Sequence, residues 1–413
     1  MPLEPGRTVD ELHELRELTG NEDGAQRVAW TDTWVAAKEW LSEKVAPTGA
    51  KEEIDEAGNQ WFTLAGGSEQ ALLIGGHIDS VPNGGWLDGA LNVIVGVEVL
   101  RRIGADGTPP VTVRLVNWAD EEGARFGRSL FGSSAASGTM DDQDEIRERT
   151  DADGVRWEDA LAAHGVDLDR ALEARRQLEN AGAYLELHIE QGPVLEAMDL
   201  PLGVVLGTFG VERHQISFRG QAAHAGSTPM DKRRDALAAA AKLALEIREI
   251  AARTGEGAVC TMGSCVTKPG IVTSVVETAT VLLDQRHLDR EKLAAMLAEA
   301  KAASERFARD EDVDVAWERV WRIDPILFDQ ALIELADEAV VEVAGRSHRL
   351  PSGPLHDAAE VARAGIPTVM LFVQSPRGLS HTKLEDTKPE HLELSVQALD
   401  RLAAKTIERL TAG

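Results

Sequence analysis

Five short stretches of this chain place a histidine or a carboxylate at the end of an apolar, strand-like run. They are GGHIDS (residues 75–80), WLDG (86–89), WADEEG (118–123), LHIEQG (187–192) and GLSHTKLED (378–386). Side chains in such positions call for a sheet whose carboxyl edge gathers them, because sites in open α/β sheets form there. Together the stretches offer His77, Asp88, Glu121, Glu122, His188 and His381. That set can hold two divalent ions sharing one carboxylate and still spare a carboxylate for proton transfer. Taken singly, each has a plain structural reading: a hydrogen-bonded histidine after a strand, or a solvated acidic turn. The conjunction points to metal, since a buried pair of glutamates needs a neutralising charge.

Adjacent residues leaving a strand point in opposite directions. One of Glu121 and Glu122 can therefore ligate while the other moves a proton from water to a leaving nitrogen. Asp79 follows His77 by two residues and would share its face; its carboxylate can accept the second imidazole N–H and fix the tautomer. A turn or cap is the alternative reading of Asp79. The chain has no HExxH, GxSxG, Walker GxxxxGK[ST] or strand-borne GxGxxG, so a serine nucleophile has no elbow to stand on. His224, in QAAHAGSTPMDKRRD, could hydrogen-bond a tetrahedral oxyanion. Arg286, ending VLLDQR, could take a carboxylate bidentately. Spacing alone favours a loop histidine and a strand-end arginine.

Apolar spacing predicts helix over residues 8–46, with Val9, Leu12, Leu15 and Leu18 and then Trp34 to Leu41 in phase. Strands are expected at 61–64, 71–74, 111–118, 184–187 and 368–373, a helix over 93–100 after Asp88-Gly89, and surface helices within the charged span 140–180. Strands alternating with helices give an α/β sheet. Residues 208–325 differ. Their order is strand (214–220), helix (235–252), strand (257–266), strand (279–285), helix (290–309), a two-layer α+β unit. It is expected as an insertion between catalytic segments 1–207 and 326–413.

With 413 residues, 43% of them hydrophobic and 27% charged, the chain can build two domains and a large core. A net charge of -27 repels phosphate backbones and anionic lipid, which argues against nucleic-acid and membrane partners. An anionic substrate then needs a local cation. The only cysteines, Cys260 and Cys265, form neither a disulfide framework nor a CxxC pair and fit a reducing compartment. No charged head followed by an apolar run is visible at the start, and no stretch reaches the ~18 apolar residues of a membrane span. A cytoplasmic protein is the expectation.

The blocks GGHIDSVPNGGWLDG, DEEGARFGRSLFGS, LELHIEQGPVLE, GQAAHAGSTPMDKRRDA and GLSHTKLED resemble, in order, those of the hydantoinase/carbamoylase family of binuclear amidohydrolases. That family is a branch of the aminoacylase and carboxypeptidase clan. The resemblance implies two divalent ions per subunit, zinc or manganese, cobalt or nickel. By it, His77 and His188 would hold one ion, Glu122 and His381 the other, and Asp88 would bridge, with Glu121 as general base. Gln191 and His224 match substrate-contacting positions, and Arg286 matches the arginine that binds the substrate carboxylate. His214 and Thr273 join the substrate-binding candidates. The inserted domain would be a lid and a dimerisation unit, making the protein a homodimer.

The implied reaction is hydrolysis of the ureido C–N bond of a small carboxylated substrate, such as an N-carbamoyl-L-amino acid, releasing ammonia and carbon dioxide. The rival enzyme reading is aminoacylase or dipeptidase chemistry on an N-acyl or peptide bond. A non-catalytic binding protein is a third, disfavoured by the presence of Glu121 and every ligand. Departures concern the substrate. Thr273 stands thirteen positions before Arg286 where relatives carry Asn. Leu355 precedes His356-Asp357-Ala358 where they carry Gly, and Lys383 replaces a frequent Pro.

Overall fold

A computed structural model describes residues 2–412. The chain divides into two compact units. One runs through Leu206 and resumes at Phe328; the other is Gly207–Leu327.

The first unit is built on a mixed sheet. Its four middle strands lie in the order Thr368–Val373, Ala181–Ile189, Ala71–His77 and Thr112–Trp118, all parallel. Antiparallel strands flank them: Leu202–Thr208 beside Thr368–Val373, and Gln60–Leu64 then Lys51–Ile54 beyond Thr112–Trp118. Every residue of Ala71–His77 and of Thr368–Val373 is buried. Strands covered on both faces read as continuous apolar runs, which is why ALLI and TVMLFV are legible as strands without alternation. Helices Ala90–Ala105 and Pro389–Ala412 pack on the middle strands, and the short helix Asp357–Arg363 packs against Ala181–Ile189 and Thr368–Val373.

The helix expected over 8–46 is two helices, Pro5–Thr19 and Asp32–Val45. Between them Gly20–Asn21 pairs with Gly24–Ala25 in a small antiparallel ribbon. Gly20, Asn21 and Gly24 are turn formers, and their signal outweighs the apolar phase on either side. Thr31 then caps the second helix by accepting from the Trp34 amide. Within 140–180 the helices are short, Gln143–Glu148 and Trp157–Ala163, with a 3₁₀ run Ala171–Leu178. Leu161 and Leu168 in this span are buried.

The second unit is a four-stranded antiparallel sheet in the order Val259–Lys268, Thr278–His287, Gly210–Arg219, Asp314–Ile323. Helices Ala236–Thr254 and Arg290–Asp310 lie on it, capped by Asp235 and Asp289. Ile216, Phe218, Leu243, Ile247, Val281 and Met296 belong to their shared core. The strand Asp314–Ile323 is absent from the sequence expectation. Its residues are charged at several positions and, although Val315 and Trp317 alternate toward the core, none is fully buried, so its apolar signal is weak.

Candidate metal centre

The centre forms at the carboxyl ends of the parallel strands. His77 ends Ala71–His77, and His188 is the penultimate residue of Ala181–Ile189. Asp88 comes from the loop that leads into helix Ala90–Ala105. Asp88 Oδ1 lies 3.1 Å from His188 Nε2 and 3.7 Å from His77 Nε2. Its other oxygen, Oδ2, lies 3.5 Å from His381 Nε2, which is itself 3.4 Å from Glu122 Oε2. Ligand atoms on a tetrahedral ion with bonds of about 2.1 Å stand about 3.4 Å apart. Two triads therefore have ligand spacing, His77–Asp88–His188 and Asp88–Glu122–His381, with Asp88 common to both.

Glu121 joins from the side, its Oε2 3.7 Å from His77 Nε2. The two glutamates do not diverge by strand alternation, as the sequence suggested. The strand ends at Trp118, and Asp120 turns the chain with φ 56°. The loop, not the pleat, aims each carboxylate. Gln191 and His381 also have positive φ, 56° and 55°. Non-glycine residues in this region cost energy and cluster at functional sites. Asp79 acts on both sides. His77 Nδ1 lies 3.1 Å from the Asp79 backbone oxygen and 3.5 Å from its carboxylate. The same carboxylate accepts the amides of Glu121 and Glu122 at 3.3 and 3.2 Å, so it fixes the loop that carries them.

Electrostatics fit an ion. Burial, then Asp357 and Glu122 among the nearby carboxylates, push Glu121 well above the usual carboxylate range although His77 opposes it. Burial and Asp88 do the same to Glu122. Burial also acts upward on Asp88, but His188, His77 and His381 hold it well below that range. Glu122 Oε1 is buried with no hydrogen-bond partner. Such crowding of uncompensated carboxyl groups is relieved by a cation. The residues present fit divalent metal.

Gln191, expected only as a substrate contact, also supports the centre, and Arg27 is a supporting group that the sequence reading missed. Gln191 Nε2 donates to Asp88 Oδ2 at 2.9 Å and to Ser380 Oγ at 2.9 Å, so its amide holds Asp88, and its buried Oε1 has no hydrogen-bond partner. Arg27 is fully buried and donates to the Ile78 oxygen at 2.7 Å. Burial lowers its guanidinium to about 10 against the pull of Glu385, Asp79, Asp88 and Glu122. The His356 ring stands 4.4 Å from that of His188; burial and His188 keep it well below the usual histidine value, hence neutral. Arg27 sits fifty residues from the nearest ligand, and no spacing rule connects them.

The second unit holds the other candidates. Ala223–His224 pairs with Ser274–Val275, and the Ala225 amide donates to the Thr273 oxygen at 2.8 Å. His224 is exposed, and Thr273 is its neighbour. Arg286 is paired with Asp284, Nε to Oδ1 at 2.8 Å. His214 departs from the substrate-binding role expected of it. Its ring is buried, 2.9 Å from Glu212 Oε2, and lies edge-on to Trp317 at 5.4 Å. Its strand alternation puts it with Ile216 and Phe218, the residues that face the helices.

Fold and centre together define an α/β protein whose sheet edge carries a cluster of residues that could hold divalent metal. Residues 73–405 match Peptidase family M20/M25/M40, and the chain belongs to that family. It is 35% identical to an N-carbamoyl-L-amino acid amidohydrolase of Geobacillus stearothermophilus over 95% of this chain and 96% of the relative. It is 31% identical to an allantoate amidohydrolase of Escherichia coli over 91% of each chain. A crystal structure of a hydantoinase/carbamoylase family amidase from Burkholderia phymatum superposes with a TM-score of 0.88 at 33% identity, covering 99% of both chains. The chain is a hydrolase acting on amide or ureido bonds. Among the described residues no helix is long and apolar enough to cross a membrane.

Proposed function

We propose that the protein hydrolyses the ureido C–N bond of a small carboxylated substrate of the N-carbamoyl-L-amino acid type, releasing ammonia and carbon dioxide. The observation that carries this reading is the division of Asp88 between two ligand pairs with Glu121 left over beside His77. Relatives named for carbamoyl amino acid and allantoate hydrolysis support it.

Two divalent ions per subunit, zinc or else manganese, cobalt or nickel, would lend Lewis acidity to the scissile carbonyl and to the attacking water. His77 and His188 are the proposed ligands of one, Glu122 and His381 of the other, and Asp88 is shared. Glu121 takes the proton from the attacking water and delivers it to the departing nitrogen. Its place beside His77, outside both ligand triads, leaves its carboxylate free for that exchange. Asp79 orients His77 and steadies the Glu121 loop. Arg286 pairs with the substrate carboxylate, His224 hydrogen-bonds the developing oxyanion, and Gln191 and Thr273 contact the substrate. His214 is left out of this set because of its burial. The Gly207–Leu327 unit is a lid and dimerisation domain, and the protein is a cytoplasmic homodimer. The exposed Val259 and Val266 of the edge strand Val259–Lys268 suit pairing with a second copy.

The test is ammonia release from N-carbamoyl-L-amino acids, ureidopropionate and allantoate, with metal returned to chelated protein. Metal-dependent ammonia supports the proposal. Carboxylic acid release from N-acyl amino acids without ammonia supports the aminoacylase reading instead.

A further inference from the structure

Glu385 is buried, at 2% exposure, on a loop whose neighbouring Leu384 is 57% exposed. Its Oε1 accepts the backbone amides of Leu87 at 3.1 Å and Asp88 at 3.0 Å, across almost three hundred residues of sequence. Its Oε2 lies 3.1 Å from Ser380 Oγ, which in turn lies 2.8 Å from Asp88 Oδ2. Glu385 thus holds the Asp88 backbone amide directly, and its Oε2 shares the single Ser380 hydroxyl proton with Asp88 Oδ2. Both of its oxygens are committed to protein groups, and it belongs to neither ligand triad. Opposite it stands Gly85, where a β-carbon would come within 2.0 Å of the Glu385 carboxyl group. The slot is open only because that residue has no side chain. The need for such a grip is visible in His381, whose side chain is 53% exposed and whose backbone φ is 55°. Little packing of its own holds that ligand in place.

The geometry points to Glu385 as a positioning residue that latches the Asp88 loop to the His381 loop, keeping the shared carboxylate aligned with both ligand pairs; this rests on the two-ion reading above. Outer groups that orient ligands typically contribute 10–100-fold to metal affinity. A carboxylate that merely satisfied buried donors would contribute to folding and leave ion binding alone.

The experiment is zinc binding to chelator-stripped full-length protein, by competition with a chromophoric chelator and without substrate, alongside thermal melting of the metal-free forms. Glu385→Ala is expected to weaken zinc binding about tenfold or more, while Glu385→Gln, which keeps an acceptor for both amides, stays within about threefold of wild type. Wild-type affinity in Glu385→Ala overturns the latch. So does Glu385→Gln binding as weakly as Glu385→Ala, because lost charge and not lost anchoring would then be the cause. Should Glu385→Ala not fold, Glu385→Asp keeps the charge but withdraws the carboxylate from the Leu87 and Asp88 amides; weakened binding supports the latch and unchanged binding overturns it. Wild-type protein that binds no zinc overturns the two-ion reading and the latch together, whereas the other outcomes bear on the latch alone.

Discussion

Asp88 Oδ1 lies 3.1 Å from His188 Nε2, while the other oxygen of the same carboxylate turns away toward His381. One side chain therefore belongs to two ligand sets, and its position decides both. The rest of the centre can be understood as what is needed to hold that carboxylate: Gln191 and Ser380 on Oδ2, and Glu385 on the backbone amide.

Glu121→Gln removes the proton carrier and leaves both ligand triads intact. Turnover is expected to fall about 10²–10⁴-fold, with metal content unchanged. Steady-state kinetics paired with elemental analysis checks this; near-normal turnover contradicts the assignment.

Gly89→Ala should empty one position. A β-carbon at residue 89 would come within 2.3 Å of the His77 ring, and φ there is 63°. Both the clash and the left-handed backbone oppose a side chain, so His77 must move. Metal per subunit by mass spectrometry should drop, and retention of the wild-type content would count against His77 as a ligand.

Chelation should lower the melting temperature, and added metal should restore it in a concentration-dependent way. Any ligand that binds only the folded state stabilises it, by about 2.7 kcal/mol at a hundred times its Kd. The crowded carboxyls of Glu121 and Glu122 make the metal-free state the strained one. A melting temperature indifferent to chelator contradicts metal binding at the centre.

Asp55→Ala should destabilise the first unit with no direct effect on the chemistry. The Asp55 carboxylate accepts from the Ala57 and Asn59 amides, Asn59 Nδ2 and Trp61 Nε1, at 2.8 to 3.0 Å. Each buried donor left without a partner costs about 1–3 kcal/mol. Urea denaturation measures the loss; a change within error would show that water replaces the carboxylate at no cost.

Arg286→Ala should raise KM for carboxylated substrates and leave uncharged amide analogues nearly unaffected. Equal effects on both classes would place Arg286 in a structural role through its pair with Asp284.

Much of the fold is legible in the sequence. The fully buried parallel strands are legible as apolar runs, and the candidate ligands His77 and His188 stand at the ends of such runs, whereas the choice of Glu122 over Glu121 came only from the family resemblance. Asp88 and His381 needed only their glycine-flanked turns. What stayed hidden was contributed at a distance. Arg27 reaches the backbone beside His77 and Glu385 the backbone of Asp88, contacts that no spacing rule encodes. The strand Asp314–Ile323 has no buried residue to mark it, and the break at Gly20–Ala25 was masked by apolar phase on both sides. His214 misled because a histidine in an alternating strand reads the same whether it faces solvent or the helices.

The most direct test of the two-ion centre is anomalous diffraction from crystals grown with zinc. Two peaks about 3.5–4 Å apart, one beside His77 and His188 and the other beside Glu122 and His381, with Asp88 between them, are the predicted result. A single peak, or peaks away from Asp88, would contradict the shared carboxylate on which the account rests.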